Sequence, residues 1–141
     1  MNIGIDIGRV IIGGDGEDTF FTEDFLNTPQ VEGAFRSIKA LVDQGHDVYL
    51  VSKCGYSVQA KTWDWLDHKG FFRYTGVNAA KVYFVHHRMD KQPIARALRL
   101  EVFIDDREDI IQSVSLMLHA ILFTSWDQTN KELQEILDRL A

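Results

Sequence analysis

The stretch NIGIDIGR, residues 2–9, decides the fold. A short apolar run leads into Asp6 and Ile7 and is followed directly by Gly8. This pattern is typical of a buried strand in a parallel sheet. Similar runs recur along the chain and alternate with segments of helical periodicity. The predicted strands are Asn2–Ile7, Asp47–Ser52, Lys81–His86, Glu101–Asp105 and His119–Phe123. The alternation predicts an α/β fold, with a parallel five-stranded sheet flanked by helices.

The helices between these strands begin or end at recognisable capping residues. Thr28, followed by Pro29, predicts the start of a first helix that ends at Gly45. A second helix is expected to begin at Ser57 and end at Gly70, and a third to span 91–100. A fourth buries a face between Ile110 and Met117. The last begins with a capping box from Thr129 to Glu132.

Composition limits the class of protein. A chain of 141 residues, 45% of them hydrophobic, suits a single domain covering 1–141. The formal net charge of -6 makes a nucleic-acid polymer an unlikely partner, since such partners call for a basic excess. The single cysteine, Cys54, excludes an intramolecular disulfide, and no apolar run approaches the roughly 18 residues of a membrane span. We therefore expect a cytoplasmic protein without membrane association.

Polar residues follow several predicted strands at the point where each one ends. They are Asp6, Ser52, the pair His86 and His87, and the pair Asp105 and Asp106. Open α/β sheets bind ligands at this edge. A lone aspartate there usually caps a turn, but two adjacent carboxylates at a buried strand end are costly without a cation. The pattern therefore indicates a metal site.

Residues 2–109 contain an ordered set of four features. One strand ends in Asp6 and the next in Ser52, Lys91 opens a helix, and a later strand ends in the pair Asp105 and Asp106. With this pattern the chain resembles the haloacid dehalogenase (HAD) superfamily. The resemblance implies the Rossmann-like fold of that superfamily. The C-terminal half is similar to 5'(3')-deoxyribonucleotidases. The similar stretches are Arg88-Met-Asp-Lys91, Phe103-Ile-Asp-Asp-Arg107-Glu-Asp-Ile110 and Ile121-Leu-Phe-Thr124.

The resemblance implies a magnesium-dependent phosphohydrolase with a phosphorylated substrate of unknown identity. Asp6 would attack phosphorus to give an aspartyl-phosphate, which water hydrolyses. Ser52 and Lys91 would hold the phosphoryl oxygens; Lys53 and Lys81 are less well placed than Lys91. The implied Mg²⁺ ligands are Asp6, the Gly8 carbonyl and Asp105, with Asp106 and Asp109 binding or orienting the ion and its waters.

Gly8 departs from the family, most of whose phosphatases carry a second aspartate there as general acid and base. This group typically contributes about 10²–10⁴-fold in rate. Its absence leaves an alternative function open, in which the chain is a catalytically impaired phosphate- or metal-binding module. Arg9, His86 and His87 are weak candidates to replace it. A phosphoacceptor receiver domain is a third reading, disfavoured because the acidic pair follows the fourth strand rather than the first.

Residues 9–27 are too few for a cap domain and predict a flap. Its Phe20, Phe21 and Phe25 would cover the site or form a contact in a homo-oligomer. Simpler roles are expected elsewhere. His86 and His87 point to opposite faces of a strand and could not readily share an ion. The three tryptophans are expected at helix–sheet contacts and Cys54 as a buried filler.

Overall fold

The computed structural model describes residues 1–13 and 19–140. Five parallel strands form one sheet in the order β3-β2-β1-β4-β5. The strands are β1 Asn2–Ile5, β2 Asp47–Lys53, β3 Val82–Val85, β4 Val102–Asp105 and β5 His119–Leu122. The predicted five-stranded parallel sheet is thus confirmed, and β1, which carries the N-terminal stretch, lies at its centre.

Helices cover both faces of the sheet. They are α1 Ala34–Asp43, α2 Tyr56–His68, α3 Phe71–Thr75, α4 Lys91–Ala97, α5 Glu108–Val114 and α6 Trp126–Leu140. The larger apolar cluster joins Ile3, Ile5 and Ile104 to α1, α2, α3 and α6. A smaller one joins Phe103 to α4 and α5. Within the described part of the chain, no helix is both long and apolar enough to cross a membrane.

Helix α1 begins at Ala34, so the predicted start at Thr28 and Pro29 is wrong. Residues 29–31 instead run alongside the segment after β1. The Gly13 amide donates to the Pro29 carbonyl at 3.0 Å and the Val31 amide to the Ile11 carbonyl at 2.8 Å. The Gln30 side chain then caps the helix by accepting from the Phe35 amide at 2.9 Å. Long-range backbone pairing thus overrides the local capping signal.

Two other predicted helix starts are also displaced. Helix α6 begins at Trp126, one turn before the predicted capping box, and Ser125 Oγ accepts from the Gln128 amide at 3.1 Å. Thr129 is therefore inside the helix and fully buried. Helix α2 begins at Tyr56 with Gly55 as its N-cap, so Ser57 is not the cap.

Two buried tryptophans hold the long connection between β1 and α1. The Trp126 indole donates to the Val10 carbonyl at 2.8 Å, and the Trp65 indole donates to the Thr28 carbonyl at 2.9 Å. Trp63 is half-buried and packs its ring against Phe84. Trp65 and Trp126 pack in the core as expected, and Trp126 also anchors backbone four residues after Asp6.

Candidate active site

Three of the predicted site residues lie at the carboxyl ends of adjacent strands. Asp6 directly follows β1, Ser52 lies near the end of β2, and Asp105 is the last residue of β4. The Asp6 amide donates to the Ile104 carbonyl at 2.9 Å, which prolongs the pairing between β1 and β4. Because β1 lies between β2 and β4, all three side chains share the sheet edge where open α/β folds bind ligands.

Lys91 joins the strand-end carboxylates from the first turn of α4. Its ammonium lies 3.0 Å from Asp6 Oδ1 and 2.7 Å from Asp105 Oδ2. The lysine is 2% exposed, Asp6 7% and Asp105 0%, so the two ion pairs are shielded from water. Asp105 Oδ1 also accepts from the Arg107 amide at 3.0 Å. The structure thus brings together Asp6, Lys91 and Asp105.

Burial dominates the electrostatics of this cluster. It raises the pKa of Asp6 to about 8; the neighbouring Asp105 and Asp106 add to the rise, and Lys91 opposes it. Burial also raises the pKa of Asp105, again against the effect of Lys91. Burial alone would lower the pKa of Lys91, but the two carboxylates outweigh it and the pKa is raised. Lys91 therefore stays charged without fully offsetting the unfavourable negative charge around it.

The donor set fits a magnesium ion. Asp6, Asp105 and Asp106 each offer a carboxylate oxygen, and these oxygens lie within 4.8 Å of one another. Hard oxygen donors of this kind suit Mg²⁺. Gly8 lines the cleft beside Asp6.

Asp109 does not join this group. Its carboxylate is half-exposed and accepts from Arg88 Nη1 and from Arg107 Nε, each at 3.2 Å. Asp109 was predicted to bind or orient the metal ion and its waters. Its contacts are instead with two arginines, Arg88 and Arg107.

A cleft of about 850 Å³ opens over Asp6, Ser52 and Lys91. Of its described lining residues, one is acidic, namely Asp6, and five are basic. The cationic residues are Arg9, Lys53, Arg88, Lys91 and Arg107. A basic excess in one cleft of a chain with net charge -6 favours an anionic ligand. Arg88 and Arg107, which follow β3 and β4 closely in the chain, were not among the residues predicted from the sequence to line the site.

Two non-glycine residues of the described chain have a positive φ, Arg99 at 54° and Arg9 at 63°. Arg99 follows the last turn of α4, where a left-handed residue is common. Arg9 instead follows Gly8 at the cleft. Its φ is 63°, in the left-handed region, which costs a non-glycine residue about 1–2 kcal/mol. Its amide donates to the Ile12 carbonyl at 2.8 Å, and its exposed side chain lines the cleft. Gly8 has no such conformation, and a Cβ added there would meet no atom within 4 Å. A Cβ atom at position 8 is therefore accommodated without a clash.

The remaining candidates lie at the periphery of the site. The exposed His86 packs its ring 4.7 Å from the ring of Tyr56, and His87 precedes the short 3-10 helix Arg88–Asp90. Cys54 is buried at the cleft, and burial raises the pKa of its thiol, which disfavours a reactive thiolate. Phe20 and Phe21, from the predicted flap, line the same cleft and pack edge to face.

The strand order bears on the receiver-domain reading. Flavodoxin-like receiver folds have the order 2-1-3-4-5, with the first and third strands adjacent. Here β1 lies between β2 and β4. The sheet therefore does not have receiver topology, which agrees with the late position of the acidic pair.

No protein-family model matches the chain, and no curated protein matches it either. Solved structures do. A hydrolase from Streptococcus pneumoniae TIGR4 matches with a TM-score of 0.63 at 13% identity, over 97% of both chains. D,D-heptose 1.7-bisphosphate phosphatase from B. bronchiseptica, complexed with magnesium and phosphate, matches with a TM-score of 0.60 at 14% identity. That match covers 84% of this chain and 77% of the phosphatase.

A chain of the Pnkp1/Rnl/Hen1 complex matches with a TM-score of 0.61 at 14% identity, over 86% of this chain. The present chain spans only 45% of that larger one. At these identities the likenesses show the fold alone. They agree with the predicted single-domain α/β architecture.

Proposed function

We propose that this chain is a magnesium-dependent phosphohydrolase that acts through an aspartyl-phosphate on Asp6. The observation that carries the proposal is the contact of buried Lys91 with both Asp6 and Asp105, at 3.0 and 2.7 Å. Asp6 and Lys91 line a cleft with a basic rim, and Asp105 is fully buried in contact with Lys91. The likeness to a phosphatase solved with magnesium and phosphate supports the same reaction class.

Each residue of the cluster has a distinct part in this chemistry. The Asp6 carboxylate attacks phosphorus and forms the phosphoryl bond as the leaving group departs, and water then hydrolyses the acyl phosphate. Ser52 donates its hydroxyl to a phosphoryl oxygen, and Lys91 neutralises charge on the same group. Asp105 and Asp106, with Asp6 and the Gly8 carbonyl, would hold Mg²⁺, which when bound reduces the repulsion between two anions.

The phosphohydrolase proposal is tested with purified protein, Mg²⁺ and two substrates, p-nitrophenyl phosphate and acetyl phosphate. Turnover is expected on at least one, to depend on the metal, and to be lost in Asp6→Asn. The matched control is Asp43→Asn, because Asp43 is exposed, pairs with Lys39 on α1 and lies outside the cleft. Absence of turnover on both substrates, or equal turnover in Asp6→Asn and the wild type, would contradict the proposal.

A second candidate function rests on Gly8. The residue leaves open space beside Asp6 where a general acid would otherwise stand. The chain would then be a phosphate- or metal-binding module that kept the site and lost turnover. This reading predicts that Mg²⁺ stabilises the protein against heat in an Asp6-dependent way while neither substrate is hydrolysed. Brisk turnover by the wild type excludes it.

The described part of residues 9–27 supports a covering role for this segment. Two short 3-10 helices, Thr19–Phe21 and Phe25–Asn27, lie within it, and Phe20 and Phe21 line the cleft. Phe20 packs edge to face on Phe25, whose ring lies under the Lys61 ammonium of α2. We propose that this flap shields the phosphoryl group from one side in place of a cap domain.

A further inference from the structure

The rim of the cleft contains more positive charge than one transferred phosphoryl group requires. Ser52 and Lys91 already serve that group next to Asp6. The additional cations are three arginines, Arg9, Arg88 and Arg107, together with Lys53. Asp109 offsets one of these charges, so the rim keeps a positive excess among the residues that the structure describes.

Arg88 and Arg107 are held in place by one carboxylate. Asp109 Oδ2 accepts from Arg88 Nη1 and Asp109 Oδ1 accepts from Arg107 Nε, each at 3.2 Å. A guanidinium has five N–H donors, so Asp109 engages only a minor share of each fork. The side chains of Arg88 and Arg107 are 44% and 49% exposed. The pair is therefore oriented and still accessible to a ligand in the cleft.

Arg9 adds a third guanidinium to the lining of the same cleft. It lines the cleft although its left-handed backbone, with φ at 63°, would suit glycine better. Strained residues of this kind cluster at ligand sites, where the side chain matters more than local stability. Guanidinium groups bind phosphate and carboxylate through paired hydrogen bonds.

We infer that Arg9, Arg88 and Arg107 bind a second anionic group of the substrate, a phosphate or a carboxylate. The inference rests on the proposed phosphohydrolase function and narrows its substrate class to small organic phosphate esters with two anionic groups. The cleft volume of about 850 Å³ lies in the range of small-molecule pockets. The neighbouring Phe20 and Phe21 would contact the apolar part of such an ester.

Matched substrate pairs test this inference. Fructose 1,6-bisphosphate is compared with fructose 6-phosphate for a second phosphate, and phosphoserine with phosphoethanolamine for a carboxylate. In at least one pair, kcat/KM should be higher by about tenfold or more for the member with two anions, as expected for charge-assisted hydrogen bonds. The pair that shows the preference identifies the second group. Equal kcat/KM within both pairs would overturn the inference.

Variants connect the preference to the arginines. Arg88→Gln and Arg107→Gln should each reduce the ratio of kcat/KM within the preferred pair, whereas Arg73→Gln, an exposed control on α3 outside the cleft, should not. Simple long-range attraction would lower the ratio equally in Lys53→Gln, which removes another cation of the same cleft, and that result would overturn the inference. Arg9→Gly should reduce the ratio without a loss of thermal stability, because glycine adopts the backbone of Arg9 freely.

Failure of the phosphohydrolase proposal would show separately. If none of the esters is hydrolysed, calorimetry measures the binding of fructose 1,6-bisphosphate and phosphoserine to the magnesium-saturated protein. This binding then tests whether the arginines form the second-anion site. Binding that weakens by about tenfold in Arg88→Gln supports the second-anion site. No binding of either compound, or equal binding by the variant and the wild type, overturns it.

Discussion

The Lys91 ammonium lies 3.0 Å from the Asp6 carboxylate, although 85 positions separate the two residues in the chain. One residue opens a helix and the other follows the central strand, and both are buried. A buried ion pair contributes little net stability, but removing one partner leaves an uncompensated charge. Replacement of either residue alone is therefore expected to destabilise the fold.

Lys91→Met is expected to lower the free energy of unfolding by about 3–5 kcal/mol, because Asp6 and Asp105 lose their shared cation. Urea unfolding measures the change. Mg²⁺ should recover part of the loss if it binds the same carboxylates. The control is Lys53→Met, an exposed lysine of the same cleft, for which a change within about 0.5 kcal/mol is expected. An equal loss in both variants would show that the buried pairs are not responsible.

The response to magnesium should depend on pH. Burial raises the pKa of Asp6 to about 8 in the folded protein, above its ordinary value of 3.8. Between these values the folded state holds the proton more tightly than the unfolded state. The Asp6 contribution to the stability of metal-free protein therefore falls as pH rises.

Metal binding requires the ionised carboxylate and so releases this proton. The increase in Tm produced by Mg²⁺ should therefore grow as the pH is raised towards about 8 and then level off. Thermal melts with Mg²⁺ or with a chelator across this range measure it. Asp6→Asn should abolish the response and Asp43→Asn should retain it. A pH-independent response would refute this assignment of the proton.

Gly8→Asp is expected to increase turnover of substrates with poor leaving groups, such as glycerol phosphate, because the new carboxyl can protonate the leaving oxygen. A Cβ at position 8 meets no atom within 4 Å, and the residue lines the cleft. General acid–base catalysis typically contributes about 10²–10⁴-fold, and acetyl phosphate should gain much less. Gly8→Asn is the control, since it has the same size and no acidic proton. A similar gain in both variants would point to a steric effect.

Trp126→Phe should lower stability by about 1–3 kcal/mol, because the buried Val10 carbonyl loses its hydrogen bond at 2.8 Å. Activity should also fall, since Val10 belongs to the same turn as Gly8 and Arg9. Chemical unfolding and a phosphatase assay report the two effects. Trp63→Phe, at a half-buried site, should cost less stability and leave the turn in place. Equal effects of the two substitutions would show that Trp126 does not anchor the turn through Val10.

Prediction from sequence succeeded where the signal is local. The strands are apolar runs whose ends carry Asp6, Ser52 and Asp105, and the topology of parallel sheets places such ends at one edge. Helix starts were less predictable. Thr28 and Thr129 are good capping residues, but backbone pairing of residues 29–31 displaces the first start and the Ser125 cap displaces the second.

The sequence by itself determined the parallel α/β sheet and the convergence of Asp6, Ser52 and Asp105, because both follow from hydrophobic periodicity and from where each run ends. Only the tertiary structure decided the sharing of Lys91 between two carboxylates, the pairing of Asp109 with Arg88 and Arg107, and the exposure of Arg9 at the cleft. The physical reason is that ion pairs and burial depend on distances between residues remote in the chain, which no local pattern encodes.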